Sequence, residues 1–171
     1  MSAPSSLHDL LAEELADLWS ANDQMQRTVK KMAAKASDED LKDMLDESQA
    51  GIEKHTETLQ SLLEDLGEKV KKEHCKGMEG LAAEALKHTT GSDAPEEGPV
   101  LDALIIAQYQ RMSHYGIAGF GTAASYARTL GLDDAHEQLA EITDEIYNSD
   151  EYMTKLAETT VNIEADVSDD A

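Results

Sequence analysis

Positive charge is what this sequence lacks most. It has 14 Lys and Arg against 36 Asp and Glu, a formal net charge of −22. Nucleic-acid affinity comes from cations laid against phosphate, and an anionic membrane surface selects for the same cations. The balance therefore weighs against both as partners. Aromatic residues are scarce too, at 4% of the chain; with Ala, Leu and Met supplying much of the apolar content, the mixture favours helices over sheets. A lone cysteine, Cys75, excludes an internal disulfide and fits a reducing compartment. No apolar run reaches the roughly 18 residues of a membrane span and no signal-peptide core is visible. These absences lead to the expectation of a soluble, cytoplasmic protein. No phosphate-cradling glycine loop, zinc-ligand spacing or nucleophile–base pairing is legible. The excess acid itself reads as a solvated, self-repelling surface, with adaptation to high salt as the alternative.

What is present is helical periodicity on one domain's length of chain, 171 residues. The first helix should start at Ser5 or Ser6 and run to about Lys35, with Leu11, Leu15, Leu18, Met25, Val29 and Met32 as its apolar stripe. A helix of about 30 residues is about 45 Å long, so Asn22, which interrupts that stripe, falls near the midpoint. Ser37-Asp38-Glu39-Asp40 signals the start of a second helix, ending at Gly67. Its stripe is Leu41, Leu45, Ile52, Leu59, Leu62 and Leu66, again irregular in the middle. A short helix to about His88 and a long loop follow. Pro99 suits the first turn of a third long helix that runs to Leu130. On its inward face Ser113, Gly116 and Gly119 are small. Asp133 is read as the cap of a fourth helix running to about Glu164, with Asp150 near its midpoint.

Two helical hairpins joined by a long crossover predict an all-α, ferritin-like four-helix bundle with a short extra helix in the crossover. The domain is expected over residues 1–166, followed by an acidic, disordered tail at 167–171.

Cys75, Met78, Glu79, Gly80, Leu81, Glu84 and Ala85, together with His114-Tyr115, Ile117-Ala118, Phe120-Gly121-Thr122 and Leu130-Gly131, resemble the motifs of the YciF-type stress proteins. The opening Asp17-Leu18-Trp19-Ser20-Ala21 and Gln24 is also similar. The resemblance covers most of the chain. It implies a ferritin-like fold, a homodimer, induction under stress, and a di-metal carboxylate site of poorly defined activity.

Set against that family's ligand pattern, Asn22, Ala50, Ser113, Gly116 and Ile146 stand where carboxylates are expected, and only Glu53 and Asp150 remain as acids. Two divalent cations in a buried centre need about four carboxylates, because hard cations prefer oxygen ligands and their charge must be neutralised. The reading is therefore a non-enzymatic protein with a degenerate site and no expected cofactor, Glu53 and Asp150 being vestigial metal ligands. A single weak metal ion at Glu53, Asp150 and a nearby His is a lesser reading. The alternative is an iron- or manganese-dependent oxidoreductase acting on peroxide or oxygen. A weaker option is a small-molecule ligand in the emptied centre. Among other candidates, His55 reads as a stripe or interface residue rather than a ligand, and His114 as a helix–helix hydrogen bonder. Cys75 reads as a packed thiol, and Glu13, Glu14 and Asp17 as a solvated face. Tyr109, Tyr147 and Trp19 are expected to fill the space left by missing ligands.

Overall fold

The computed structural model describes residues 3–167, and every regular element in it is helical. The first helix, α1 (Leu7–Ala33), opens on a capping box: Ser6 Oγ accepts the Asp9 N–H and the Asp9 carboxylate accepts the Ser6 N–H. The second, α2 (Glu39–Asp65), is capped by Asp38, which accepts the Leu41 N–H at 2.8 Å. It ends beside Gly67, whose φ of +71° is the left-handed conformation that glycine adopts without strain.

A short helix, α3 (Lys76–Thr90), lies in the long connection, and α4 (Pro99–Thr129) follows with the expected proline in its first turn. Next comes α5 (Asp133–Leu156), which continues through a wider π-helical turn (Ala157–Val161) into α6 (Asn162–Val167). Asp133 does not cap α5: Leu132 holds that position, and no side chain accepts the free N–H groups. Of the tail expected to be disordered, Val167 still belongs to α6, and residues 168–171 lie outside the described residues.

Short links pair α1 with α2 and α4 with α5, and α3 packs across α1 and α4. The start of α3 is tied to α1 by two side chains. Ser20 Oγ accepts the Cys75 N–H at 3.0 Å, and the Gln24 amide donates to the Cys75 carbonyl at 2.9 Å. The α1–α2 link is held from α4 by Asp102, only 1% exposed, whose carboxylate accepts the N–H groups of Ser37 and Asp38 and the Ser37 hydroxyl.

The four long helices bury two apolar clusters. One holds Met25, Val29, Met32, Leu41, Leu45 and Ile105, the other Leu11, Leu15, Leu18, Leu59, Phe120 and Leu139. Where they meet, midway along α1 and α4, the wall turns small and polar. Gly119 lets the two helices approach: a Cβ there would stand 2.5 Å from Leu18 Cδ2. Among the described residues, no helix is long and apolar enough to cross a membrane.

Candidate functional site

At that junction the four long helices and α3 line a partly open cavity of about 210 Å³. Into its wall α1 contributes Leu18, Ala21, Asn22 and Met25, and α4 contributes Tyr109, Met112, Ser113, Tyr115 and Gly116. The second helix supplies Met44, Glu47, Ser48, Gly51, Ile52 and His55, and α5 supplies Glu145, Ile146 and Ser149, with Met78 entering from α3. The apolar stripes predict the inward positions on α1, α4 and α5, so Asn22, Ser113, Gly116 and Ile146 stand where they were expected.

On α2 the register differs. Ala50 and Glu53 are exposed, and Ser48, Gly51, Ile52 and His55 face the interior instead. A one-residue shift on a helix is a rotation of about 100°, enough to carry a side chain from the core to solvent. Asp150 is half-buried outside the cavity wall, with Oδ2 accepting from His114 Nε2 at 3.1 Å and Oδ1 buried without a partner. Glu53 and Asp150 are thus not gathered into one site. His114 does bridge α4 and α5, as expected.

The polar side chains of the wall largely satisfy one another. Asn22 Nδ2 donates to Thr56 Oγ1 at 3.2 Å. The Tyr109 hydroxyl lies 3.0 Å from Ser48 Oγ. Burial pushes the Tyr109 phenol up, with the neighbouring Ser48, Ser113 and Ser149 hydroxyls pulling the other way. Ser113, 1% exposed, is the exception: its Oγ lies close enough to the Tyr109 hydroxyl to act on the phenol, yet it completes no hydrogen bond of normal geometry.

His55 is 7% exposed, 2.7 Å from Glu145 Oε2 and edge-on to Phe120. The hydrogen bond to His55 is the main cause that holds the Glu145 carboxyl below its usual range. Lys54 stands 3.6 Å from the other oxygen of the same carboxylate.

Beside the cavity runs a second chain of polar contacts. The Cys75 thiol donates to the Tyr115 hydroxyl at 3.0 Å, which donates to Asp17 Oδ2 at 2.7 Å. Burial pushes both the thiol and the phenol up, so neither is poised to ionise. The packed-thiol reading of Cys75 fits this geometry.

Other expectations need correction. Only Glu13 of the acids on the first helix is exposed; Glu14 and Asp17 are half-buried, and burial raises the Glu14 carboxyl. Tyr147 is 52% exposed and Trp19 lies under the Lys72 ammonium, so neither fills the centre. Tyr109 does.

The pair that sequence reasoning missed is His55–Glu145. The available signal was His55 on the Ile52–Leu59 stripe: a buried imidazole needs a partner, though the sequence does not say which acid supplies it. No hydrogen bond joins His55 to a serine, threonine or cysteine among the described residues.

The donor set can now be weighed against two divalent cations. Among the described residues, Glu47 and Glu145 are the only carboxylates in the wall, and Glu145 is already engaged by His55 and Lys54. Among the described residues, no three His, Cys, Asp or Glu side chains converge closely enough to hold a metal ion. These residues do not fit a di-metal centre.

The chain matches the family described as "Domain of unknown function (DUF892)" over residues 6–166. It is 33% identical to the YciF protein of Escherichia coli over 165 residues, 94% of this chain and 96% of that protein. The solved structure of the E. coli stress protein YciF is similar with a TM-score of 0.85 and 31% identity, covering 93% of this chain and 99% of that one. YcfI of Rhodopseudomonas palustris gives a TM-score of 0.83 at 30% identity, over 90% of this chain and 97% of its own. A protein of Xanthomonas campestris shares the fold alone, with a TM-score of 0.77 at 16% identity, over 96% and 99% of the two chains. The chain therefore belongs to the YciF-type, DUF892 family.

Proposed function

We propose that this chain is a stress-associated, non-enzymatic member of its family. In this reading it is a ferritin-like four-helix bundle whose interior has given up the carboxylates of a di-metal centre. One observation carries it: the mid-level wall presents Asn22, Ser48, Gly51, Ser113, Gly116 and Ile146, and its two carboxylates come from Glu47 and the already paired Glu145. Two divalent ions there would set four positive charges against two carboxylates, one of them already paired, and leaving at least half of that charge uncompensated inside the bundle is costly. With no redox metal and no activated nucleophile, the protein acts through its surface and assembly. It does so in the cytoplasm as a homodimer, a state that rests on the family resemblance.

The test is elemental analysis of protein purified from iron- and manganese-supplemented cells, with thermal melts in ferrous and manganous salts. Binding to the folded state at 100 times Kd would add about 2.7 kcal/mol, which a melt resolves. The expected result is sub-stoichiometric metal and no upward shift. Two equivalents of metal with a clear shift would end the proposal. Light scattering of the same sample should give twice the 18.6 kDa chain mass; a monomer would remove the dimer.

A further inference from the structure

We infer that the central cavity is a binding site for a small, uncharged aromatic molecule carrying one hydroxyl, of the phenol class. The inference rests on the metal-free reading above, since a pair of cations would occupy the same space.

Size comes first. An apolar cavity of about 150 Å³ admits benzene, so about 210 Å³ accommodates one substituted ring. The cavity falls short of the several hundred Å³ that drug-sized ligands require.

Polarity comes second. Met25, Met44, Met78 and Met112 converge on the wall. Thioethers are polarizable, adapt to an irregular guest and make favourable contacts with ring edges. On α4, one turn or less from Met112, stand Tyr109 and Ser113, and Ser113 Oγ is buried beside the Tyr109 hydroxyl without a hydrogen bond of normal geometry. A buried hydroxyl without a partner costs free energy, and a guest hydroxyl would supply both a donor and an acceptor there.

Charge comes third. Glu47 and Glu145 stand at the wall and the chain carries −22, so an anion is repelled. An ammonium ion would need a free buried carboxylate in the wall; there Glu145 is already held by His55 and Lys54, and the partnerless Asp150 Oδ1 lies outside the wall. The cavity is partly open, and exposed Glu47 with half-buried Gly51 and Ser149 are in its lining.

The experiment titrates chelator-treated full-length protein with phenol, toluene and benzoate. It follows the methionine methyl resonances and the melting temperature. Phenol should shift the Met25 and Met112 methyl signals saturably, with Kd at or below about 1 mM. Toluene should bind about fivefold or more weakly, and benzoate not at all. Ser113→Ala, which keeps the space and removes the hydroxyl, should abolish the preference for phenol over toluene. Gly116→Leu should fill the cavity and abolish both; a Cβ at Gly116 meets only Ile146 Cδ1 at 3.4 Å and Phe120 Cδ2 at 4.0 Å.

No saturable shift with either ring compound would overturn the inference. So would equal affinity for phenol and toluene, or phenol binding that Ser113→Ala leaves unchanged. Metal content of the untreated sample is a separate readout: saturable phenol binding to chelated protein that arrived with two bound metals would sink the metal-free reading and leave the pocket standing.

Discussion

Placing one carboxyl on the inner wall and another on the outer face of the same protein separates the interior from the surface quantitatively. Ser113 is 1% exposed, whereas Ala50 is exposed on α2. In Ser113→Glu the new carboxyl enters a wall that already holds Glu47 and Glu145 and no free cation, so it folds in its protonated form. Its folded pKa is raised above the unfolded value of about 4.3, toward the 8–9 documented for buried glutamates. For an acid shifted upward, the penalty is absent below the unfolded pKa and grows by about 1.4 kcal/mol per pH unit as pH rises. By pH 7 it reaches about 4 kcal/mol, on top of a pH-independent packing cost of up to about 3 kcal/mol that the cavity partly absorbs. Ala50→Glu should stay within about 0.5 kcal/mol of the parent at every pH. Urea denaturation of the three proteins between pH 4 and pH 8, followed by circular dichroism, measures both. A deficit for Ser113→Glu that does not grow with pH would refute the reasoning, as would an equal loss in Ala50→Glu.

Asp102 is predicted to be worth more than any surface ion pair. Asp102→Ala strands two backbone N–H groups and a hydroxyl in the α1–α2 link, and should lower unfolding free energy by about 3 kcal/mol in chemical denaturation. The hydrogen bond from His55 lowers the Glu145 carboxyl, so the stability it contributes is present above the ordinary value of 4.5 and is lost as pH falls below it. In His55→Ala the Glu145 titration, read by carboxyl NMR, should move up towards 4.5. Burial raises the Glu14 carboxyl, which penalises the charged form above its unfolded pKa. Glu14→Gln should therefore raise the melting temperature at pH 7 and leave it nearly unchanged at pH 4. Gly77→Ala would put a Cβ 2.7 Å from Tyr115 Cε2 and disturb the Cys75–Tyr115–Asp17 chain, whereas Gly80→Ala meets nothing within 4 Å. Thermal melts should show the first destabilised by about 1–3 kcal/mol and the second stabilised by up to about 1 kcal/mol.

Most of the helices were legible because their signals are local. Ser6 and Asp38 cap, Pro99 opens and Gly67 closes, each through chemistry within a few residues of itself. The cap of α5 was misread: Asp133 has the right side chain, but Gly131 in the left-handed region and the bond from Leu132 N–H to the Ala127 carbonyl start the helix a residue earlier. At the cavity, Asn22, Ser113 and Ile146 followed from stripes of Leu, Ile and Met with unbroken spacing. Ala50 and Glu53 were placed by the family's ligand pattern, whereas the helix's own stripe of Leu41, Leu45, Ile52 and Leu59 turns Ser48 and His55 inward and leaves Ala50 and Glu53 exposed. The tertiary partners were illegible for a different reason. Asp102 with Ser37, and His55 with Glu145, are separated by 65 and 90 residues; a stripe shows that His55 is buried and needs a partner, but spacing along the chain does not say which residue that partner is.

The central claim, that the interior holds too little negative charge for two cations, is tested most directly by the metal content of protein purified without chelator. Well under one equivalent of iron plus manganese per chain is the predicted result. Two equivalents per chain, lost on chelation together with a fall in melting temperature, would contradict it.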